Sequence, residues 1–365
     1  MEQPTTILHP YRPPADMSRF YVVTPISNPI RYSRRYELHL RFVEMCEGAG
    51  VKLITVEQAF GLRQFMVTQP DNLMHVQVRT VEELWHKENM INIGMQRAVE
   101  LGAREIAWVD NDCRPSMMPK LWFEETWHQL QHYEFVQMFE WLIDLSLNYN
   151  PIGSPQLGFM ADYIKHGSPN YEKFIELRKL HKIKPVKRKR ATTCPCCNPP
   201  YPPPYPYGSS LFGRSGLAWA ANVDALDKVG RLIDYAILGA SDWYMAHGLI
   251  GMMQAVAFTE ARSSKAYANK LLQWQTLCER WIKRDVGFVR GIVYHDYHGH
   301  KDLRGYGTRW NILVDNQYDP DTDIKLDTQG LYQLETYEPR QIVLRDQIRA
   351  YMRARNEDST TGGED

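Results

Sequence analysis

The chain of 365 residues is 44% hydrophobic and 12% aromatic, which excludes a disordered polypeptide and leaves ample core for one large domain or two ordinary ones. Lysine plus arginine balances aspartate plus glutamate at 43 each, so any attraction to nucleic acid or membrane must be local. Six cysteines are too few to scaffold this length with disulfides, Met1–Thr6 lacks signal-peptide character, and no apolar run approaches the ~18 residues of a membrane span. A soluble, cytoplasmic protein is expected.

Residues 1–18, with Pro4, Pro10, Pro13 and Pro14, read as an extended arm. Phe20 to Thr24 is a β-branched apolar run stopped by Pro25, and predicts the first strand. Helical spacing through Tyr36, Leu40, Val43 and Glu47 ends at Gly48 and Gly50. Val51 to Val56 predicts a second strand, closed by Glu57. Thr80, followed by Glu82 and Glu83, reads as the cap of a helix that continues past Trp85, Asn89, Ile93 and Ala98 to Gly102. Ile106 to Val109 is then too short and too apolar for anything but a buried strand. Such alternation implies an α/β protein with a mixed, mostly parallel sheet flanked by helices. Ligands of these sheets collect at the carboxyl ends of strands, where Thr24, Glu57 and Asp110 fall.

A further strand, Glu134 to Phe139, is expected beside the one ending at Asp110. Residues 150–207 read as an insertion. They hold Lys184, Lys187, Arg188, Lys189 and Arg190, then Cys194, Cys196 and Cys197, then a Pro/Tyr run to Tyr207. The basic run with its tyrosines suits a nucleic-acid contact and equally a solvated loop. The cysteines lack a CxxC partner, so thiols are the default and zinc, with His181, the alternative. Order returns at Leu211, with Gly213 to Ala220 as a strand. Ala225 to Ile237 reads as helix, a long helical region runs to Trp281, and Val286 to Tyr294 reads as strand. Residues 321–358 form a C-terminal extension whose helix spans Glu338 to Arg355, and 359–365 a disordered tail.

Three stretches carry chemistry. In Val109-Asp110-Asn111-Asp112 an apolar run ends in two carboxylates at i and i+2. They can converge on a hard divalent cation shared with a diphosphate, or simply form an Asp/Asn turn. Gly239-Ala-Ser-Asp242-Trp243 places an aspartate at a helix N-cap, either as a plain cap or as a base aimed into a cleft beside a stacking indole. Tyr294-His295-Asp-Tyr-His298-Gly-His300 puts three histidines within six residues, a surface turn or a completion of metal coordination. Lys301, Arg304, Tyr306 and Arg309 follow and suit a diphosphate leaving group.

In chain order, Thr24-Pro25, the Lys87-Glu-Asn89 helix ending at Gly94, the Asp110/Asp112 pair, Gly239-Ala-Ser-Asp242 and His295-Asp-Tyr-His298 resemble a GT-A glycosyltransferase. The layout is similar to β-1,4-galactosyltransferases and polypeptide N-acetylgalactosaminyltransferases. It is most like bacteriophage-encoded glycosyltransferases, with which it shares the Trp85-His-Lys-Glu-Asn89 helix and the Tyr306-Gly-Thr-Arg309-Trp310 run. The likeness covers roughly residues 19–140 and 208–320, the two halves of a Rossmann-like GT-A domain spanning 19–149 and 208–320. The resemblance implies an enzyme that moves a sugar from a UDP-sugar to an acceptor hydroxyl, a base of phage DNA among the candidates, with inversion. The alternative is a non-catalytic nucleic-acid-binding or structural phage protein on that fold. It implies that Thr24, Pro25, Glu57, Lys87, Asn89, Asp110, Asn111, Trp243, Tyr306 and Arg309 contact the nucleotide-sugar. Asp110, Asp112 and His298 (or His295) would hold manganese or magnesium, and Asp242 would act as base. One departure stands: Ser241 occupies the place of the first member of an acidic pair.

Overall fold

The computed structural model describes residues 16–166, 213–254, 264–306 and 308–360. The expected arm ends in a 3-10 turn, Met17–Arg19; its first fifteen residues, most of the insertion and residues 361–365 of the tail lie outside the described residues. The chain is an α/β protein built on a seven-stranded sheet in the order β10-β6-β9-β4-β1-β2-β3. Its strands are β1 Phe20–Ser27, β2 Lys52–Phe60, β3 His75–Thr80, β4 Glu105–Val109, β6 Phe135–Gln137, β9 Ala218–Asn222 and β10 Val286–Phe288. All run parallel except β9, which is antiparallel to β4 and β6.

Alternation along the strands explains the helical layers. Tyr21, Val23, Ile106 and Trp108 face one core, with α2 (Lys87–Glu100), α5 (Val223–Lys228), α6 (Ser241–Leu249), α7 (Lys265–Trp281) and α9 (Pro339–Ala354) around it. Phe20, Val22, Ala107 and Val109 face the other, under α1 (Ser33–Ala49) and α3 (Pro119–Leu130). Period two on a sheet covered on both faces requires this division. Fully buried Phe42 and Phe123 of the second core each contribute about 1.5–3 kcal/mol.

A second sheet, β5-β11-β7-β8, is made of β5 Cys113–Pro115, β7 Trp141–Leu145, β8 Pro151–Leu157 and β11 Ile292–His295. α4 (Phe159–His166) follows β8, α8 spans Asn311–Asp315, and a hairpin of β12 (Ile324–Leu326) and β13 (Tyr332–Leu334) precedes α9. No described helix is long and apolar enough to cross a membrane.

Several expectations are corrected. Pro25 does not stop β1, which continues to Ser27. Past Val23 its only neighbour is β2, so an imino nitrogen is tolerated on that free edge. Glu57 does not close β2 but lies inside it, because loop donors satisfy its charge. Thr80 ends β3, a strand not anticipated, and its hydroxyl accepts from Glu82 N (2.9 Å) in a turn. α2 starts later, at Lys87. β6 does not lie beside β4, since β9 separates them. Residues 151–166 are β8 and α4 of the fold rather than insertion. The strand expected over 213–220 is shifted to Ala218–Asn222. Positive φ at Gly230 and Arg231 ends the helix expected over 225–237 after α5, although Leu232, Ile233 and Tyr235 to Leu238 stay buried. The strand expected over 286–294 splits at Gly291 (φ 129°), handing the chain from the first sheet to the second. β7 and α3 were not anticipated.

Candidate metal centre

The centre forms where the two sheets meet. β4 leaves the large sheet at Val109, the chain turns through Asp110, Asn111 and Asp112, and β5 enters the small sheet. There β5 pairs with β11 in a register that sets Cys113 opposite His295, and Asp296 N donates to Asp112 O at 2.8 Å. This ladder brings Asp112 beside histidines far away in sequence. His298 Nε2 lies 2.8 Å and His295 Nε2 3.7 Å from Asp112 Oδ2, and the two Nε2 atoms are 3.2 Å apart. Donors about 2.0–2.2 Å from one tetrahedral or octahedral ion are themselves roughly 3.0–3.5 Å apart. The spacing therefore fits a metal. So does Asp112 Oδ1, a buried oxygen without a hydrogen-bond partner among the described residues.

Each imidazole has a carboxylate on the side of its other nitrogen, hydrogen-bonded for His295 and at 3.8 Å for His298. His295 Nδ1 donates to Asp144 Oδ1 at 2.7 Å, its register neighbour on β7, and Asp144 is held by Lys301 and by Arg214 at 3.4 Å. This is the carboxylate–histidine arrangement that aims Nε2 at a metal. Behind His298 stands Glu357, and Arg304 Nη2 donates to His298 Nε2 at 2.9 Å. Burial alone would raise Asp112, but His298 and His295 outweigh it and hold the carboxyl well below its usual range. Burial alone would lower His295, but Asp112 and Asp144 raise it to about 9. Burial would likewise raise Glu357, yet Arg35 and Arg355 keep it far down.

Asp110 takes another partner. Its carboxylate faces Lys87 Nζ, at the start of α2, at 2.6 and 2.8 Å, and it does not join the triad of Asp112, His295 and His298. Burial lifts its pKa against the opposing charge of Lys87. Lys87, Asp110, Glu88 and Asp242 line one small cleft with Trp108 and Trp219. Asp242 is not the N-cap of α6. That position is Ala240, in the left-handed region at φ 72°, and Asp242 is the second helical residue, its Oδ1 accepting from Trp243 N at 2.8 Å. A Cβ on Gly216 would stand 2.4 Å from Asp242 Oδ2, so a side chain there would push this carboxylate from its present place. Trp243 packs edge-on against Tyr244 and His247 and is not among the residues lining the cleft.

Glu88 is 5% exposed. Burial, partly offset by Lys87, raises its carboxyl to about 7. A folded-state value above the ordinary 4.5 means stability is intact below that pH and is lost as pH rises through about 7. Glu88→Gln is expected to raise the unfolding midpoint at pH 8 and leave it unchanged at pH 4. Thermal unfolding across that range checks this, and equal shifts at both ends refute it.

Other sequence candidates serve the frame. The Thr24 hydroxyl lies 2.9 Å from Val109 O and 2.6 Å from Asn111 Oδ1, and Asn111 Nδ2 donates to Pro25 O at 3.1 Å. Together they brace the Asp110–Asp112 turn. Asn89 holds Gly330 O and Tyr332 N, both at 2.9 Å, pinning the β12–β13 hairpin. Arg309 donates to Tyr351 of α9 at 3.0 Å, and Tyr306 accepts from Arg304 at 3.2 Å. Glu57 accepts from Met66 N, Val67 N, Thr68 N and the Thr68 hydroxyl at 2.5–3.0 Å, which leaves it anchoring the 61–74 loop. Glu57→Gln is expected to cost about 2–3 kcal/mol in urea unfolding and to expose that loop to protease. A normal midpoint with weakened nucleotide binding would instead return Glu57 to the ligand.

The residues missed were Asp144, Glu357 and the cleft role of Glu88. No local pattern marks them, since each acquires its place through strand register or a distant chain end. His181, the basic run Lys184–Arg190, Cys194, Cys196 and Cys197 lie outside the described residues. The described cysteines, Cys46, Cys113 and Cys278, are buried thiols. No protein-family model and no curated protein matches this chain.

Proposed function

We propose that the protein is a metal-dependent glycosyltransferase taking its sugar from a nucleoside diphosphate, UDP first, and delivering it to an acceptor hydroxyl with inversion. The observation that carries this reading is the convergence of Asp112, His295 and His298 at the carboxyl end of β4, beside a cleft that contains Asp242. Two imidazoles and one carboxylate depart from the all-oxygen set of magnesium and suit a softer divalent ion such as zinc or iron(II) as well as manganese, which the transferase reading selects. Such an ion, when bound, neutralises charge on a departing diphosphate.

The chain's own residues would do the rest. Arg304, Arg309 and Arg355 are each under a tenth exposed, and Arg304 reaches His298 directly. Arg304 thus brings positive charge to the triad that a diphosphate there could use, while Arg309 and Arg355 both hold the Tyr351 hydroxyl behind it. Asp242 accepts the proton of the attacking hydroxyl. Trp108 and Trp219 supply an apolar wall that limits water in the cleft. Lys87 neutralises Asp110 and so keeps a second carboxylate from repelling the phosphates. The basic run at 184–190 suits a polyanionic acceptor, DNA first.

The test is thermal stability against a panel of nucleoside diphosphates with and without manganese, followed by UDP-sugar hydrolysis. Stabilisation by UDP only in the presence of metal supports the reading. A response to zinc or iron alone, with no nucleotide effect, would point instead to hydrolytic or oxygen chemistry on the same three donors. Salt-sensitive DNA binding without any nucleotide response would favour the non-catalytic alternative.

A further inference from the structure

The last turn of the described chain reaches back to the centre. After α9 the segment Arg355–Asp358 crosses the loop that carries His298. Gly299, at φ 88°, leaves room for it, because a Cβ there would meet Asn356 O at 2.8 Å and Glu357 Cα at 2.9 Å. Asp358 receives Ser33 N and Arg34 N at 2.9 Å each, capping α1. Asn356 N donates to the Tyr32 hydroxyl at 3.1 Å, and Arg34 Nε donates to Tyr297 O at 2.9 Å. Strap, helix start and histidine loop are thus one tied unit.

Glu357 is the centre of that tie. It is 1% exposed, gripped by Arg35 on both oxygens and by Arg355 at 2.7 Å. Its Oε2 stands 3.8 Å from His298 Nδ1, too long for a hydrogen bond but close for a charge. Arg304 donates to Nε2 of the same ring. The same Nε2 lies 2.8 Å from Asp112 Oδ2, and it can accept from the guanidinium only in the tautomer whose proton is on Nδ1, facing Glu357. His295 is held more directly, its Nδ1 hydrogen-bonded to Asp144 Oδ1 at 2.7 Å.

We propose that Glu357 is a positioning residue for metal binding. It would stand to His298 as Asp144 stands to His295 once an ion is bound, holding the proton on Nδ1 so that Nε2 can exchange Arg304 for the ion. This rests on the metal reading of the triad. It adds that a carboxylate from the far end of the chain completes the outer shell, and that a bound ion draws Nδ1 and Oε2 together. By the reciprocity of linked equilibria, the ion must then tighten the strap.

Manganese affinity is to be titrated calorimetrically on the full chain, on Glu357→Gln and on Asp358→Asn. The second variant weakens the cap on α1 without touching His298. The proposal expects a loss of about 10–100-fold for Glu357→Gln, the usual effect of removing such an outer partner, and less than about threefold for Asp358→Asn. An unchanged Glu357→Gln, or equal losses in both variants, overturns it, since the strap would then act only as general support. If the wild-type chain takes up no manganese, the triad reading itself falls. Should Glu357→Gln not fold, hydrogen exchange at Asn356 decides on the wild-type protein. Slowing by manganese supports the tie, and indifference to it overturns the tie.

Discussion

Replacing Asp112 with alanine is expected to abolish the joint stabilisation by manganese and UDP. Ligands present at about 100 times their dissociation constant add about 2.7 kcal/mol to the native state, and the wild-type midpoint should rise accordingly. Asp112 is the only carboxylate in the triad, and both imidazoles face its Oδ2. Loss of an outer partner alone costs about 10–100-fold in metal affinity, so loss of this ligand should exceed roughly 100-fold. His295 loses one of the two charges that raise it, so the metal-free variant should also be somewhat less stable near neutral pH. The measurement is a melting curve with metal, nucleotide, both and neither. A variant that keeps the full joint shift binds its ion elsewhere, and the centre would have to be abandoned.

Asp242→Asn should separate chemistry from binding. The asparagine oxygen can still accept from Trp243 N, so α6 should start as before, while the capacity to take up a proton is gone. Turnover is expected to fall by roughly 10²–10⁴. The melting response to manganese and UDP should persist, because Asp242 lies in the cleft and outside the triad. Turnover measured under saturating donor decides. If it is unaffected, the base is another group, and Glu88, a further carboxylate of that cleft, becomes the residue to replace.

Much of the fold was legible because it is written in local patterns. Tyr21 to Val23 and Ile106 to Val109 alternate between two cores and read as strands on apolar character alone. The failures share a cause. Thr80, Glu57 and Pro25 are residues whose usual local meaning is to start or stop an element, yet here tertiary partners override it. Glu57 is satisfied by a loop nine to eleven residues on, and Pro25 sits where one neighbouring strand has ended. β7 was hidden inside a stretch read only as the end of a half-domain.

At the candidate site the two stretches holding Asp112, His295 and His298 stood out as an acidic strand end and a histidine-dense loop. Their meeting depends on the β5–β11 register, which nothing local specifies. Asp144 and Glu357 carry no motif at all. The pairing of Asp110 with Lys87 was equally hidden, because two residues at the ends of different elements declare no bond until those elements pack.

The reversed strand β9 has a consequence for synthesis on the ribosome. It lies between β4 and β6 in the middle of the large sheet, yet its residues, Ala218–Asn222, are made well after both. Until they emerge, β4 and β6 each present an open flank of unpaired amides and carbonyls, the hazard that strand edges pose to a growing chain. A polypeptide ended at residue 166 would hold the β4-β1-β2-β3 part of the large sheet and β6 with neither of its neighbours, since β9 and β10 both come later. Nascent chains of that length should therefore be captured by chaperones, and release should coincide with arrival of the strand that closes the gap.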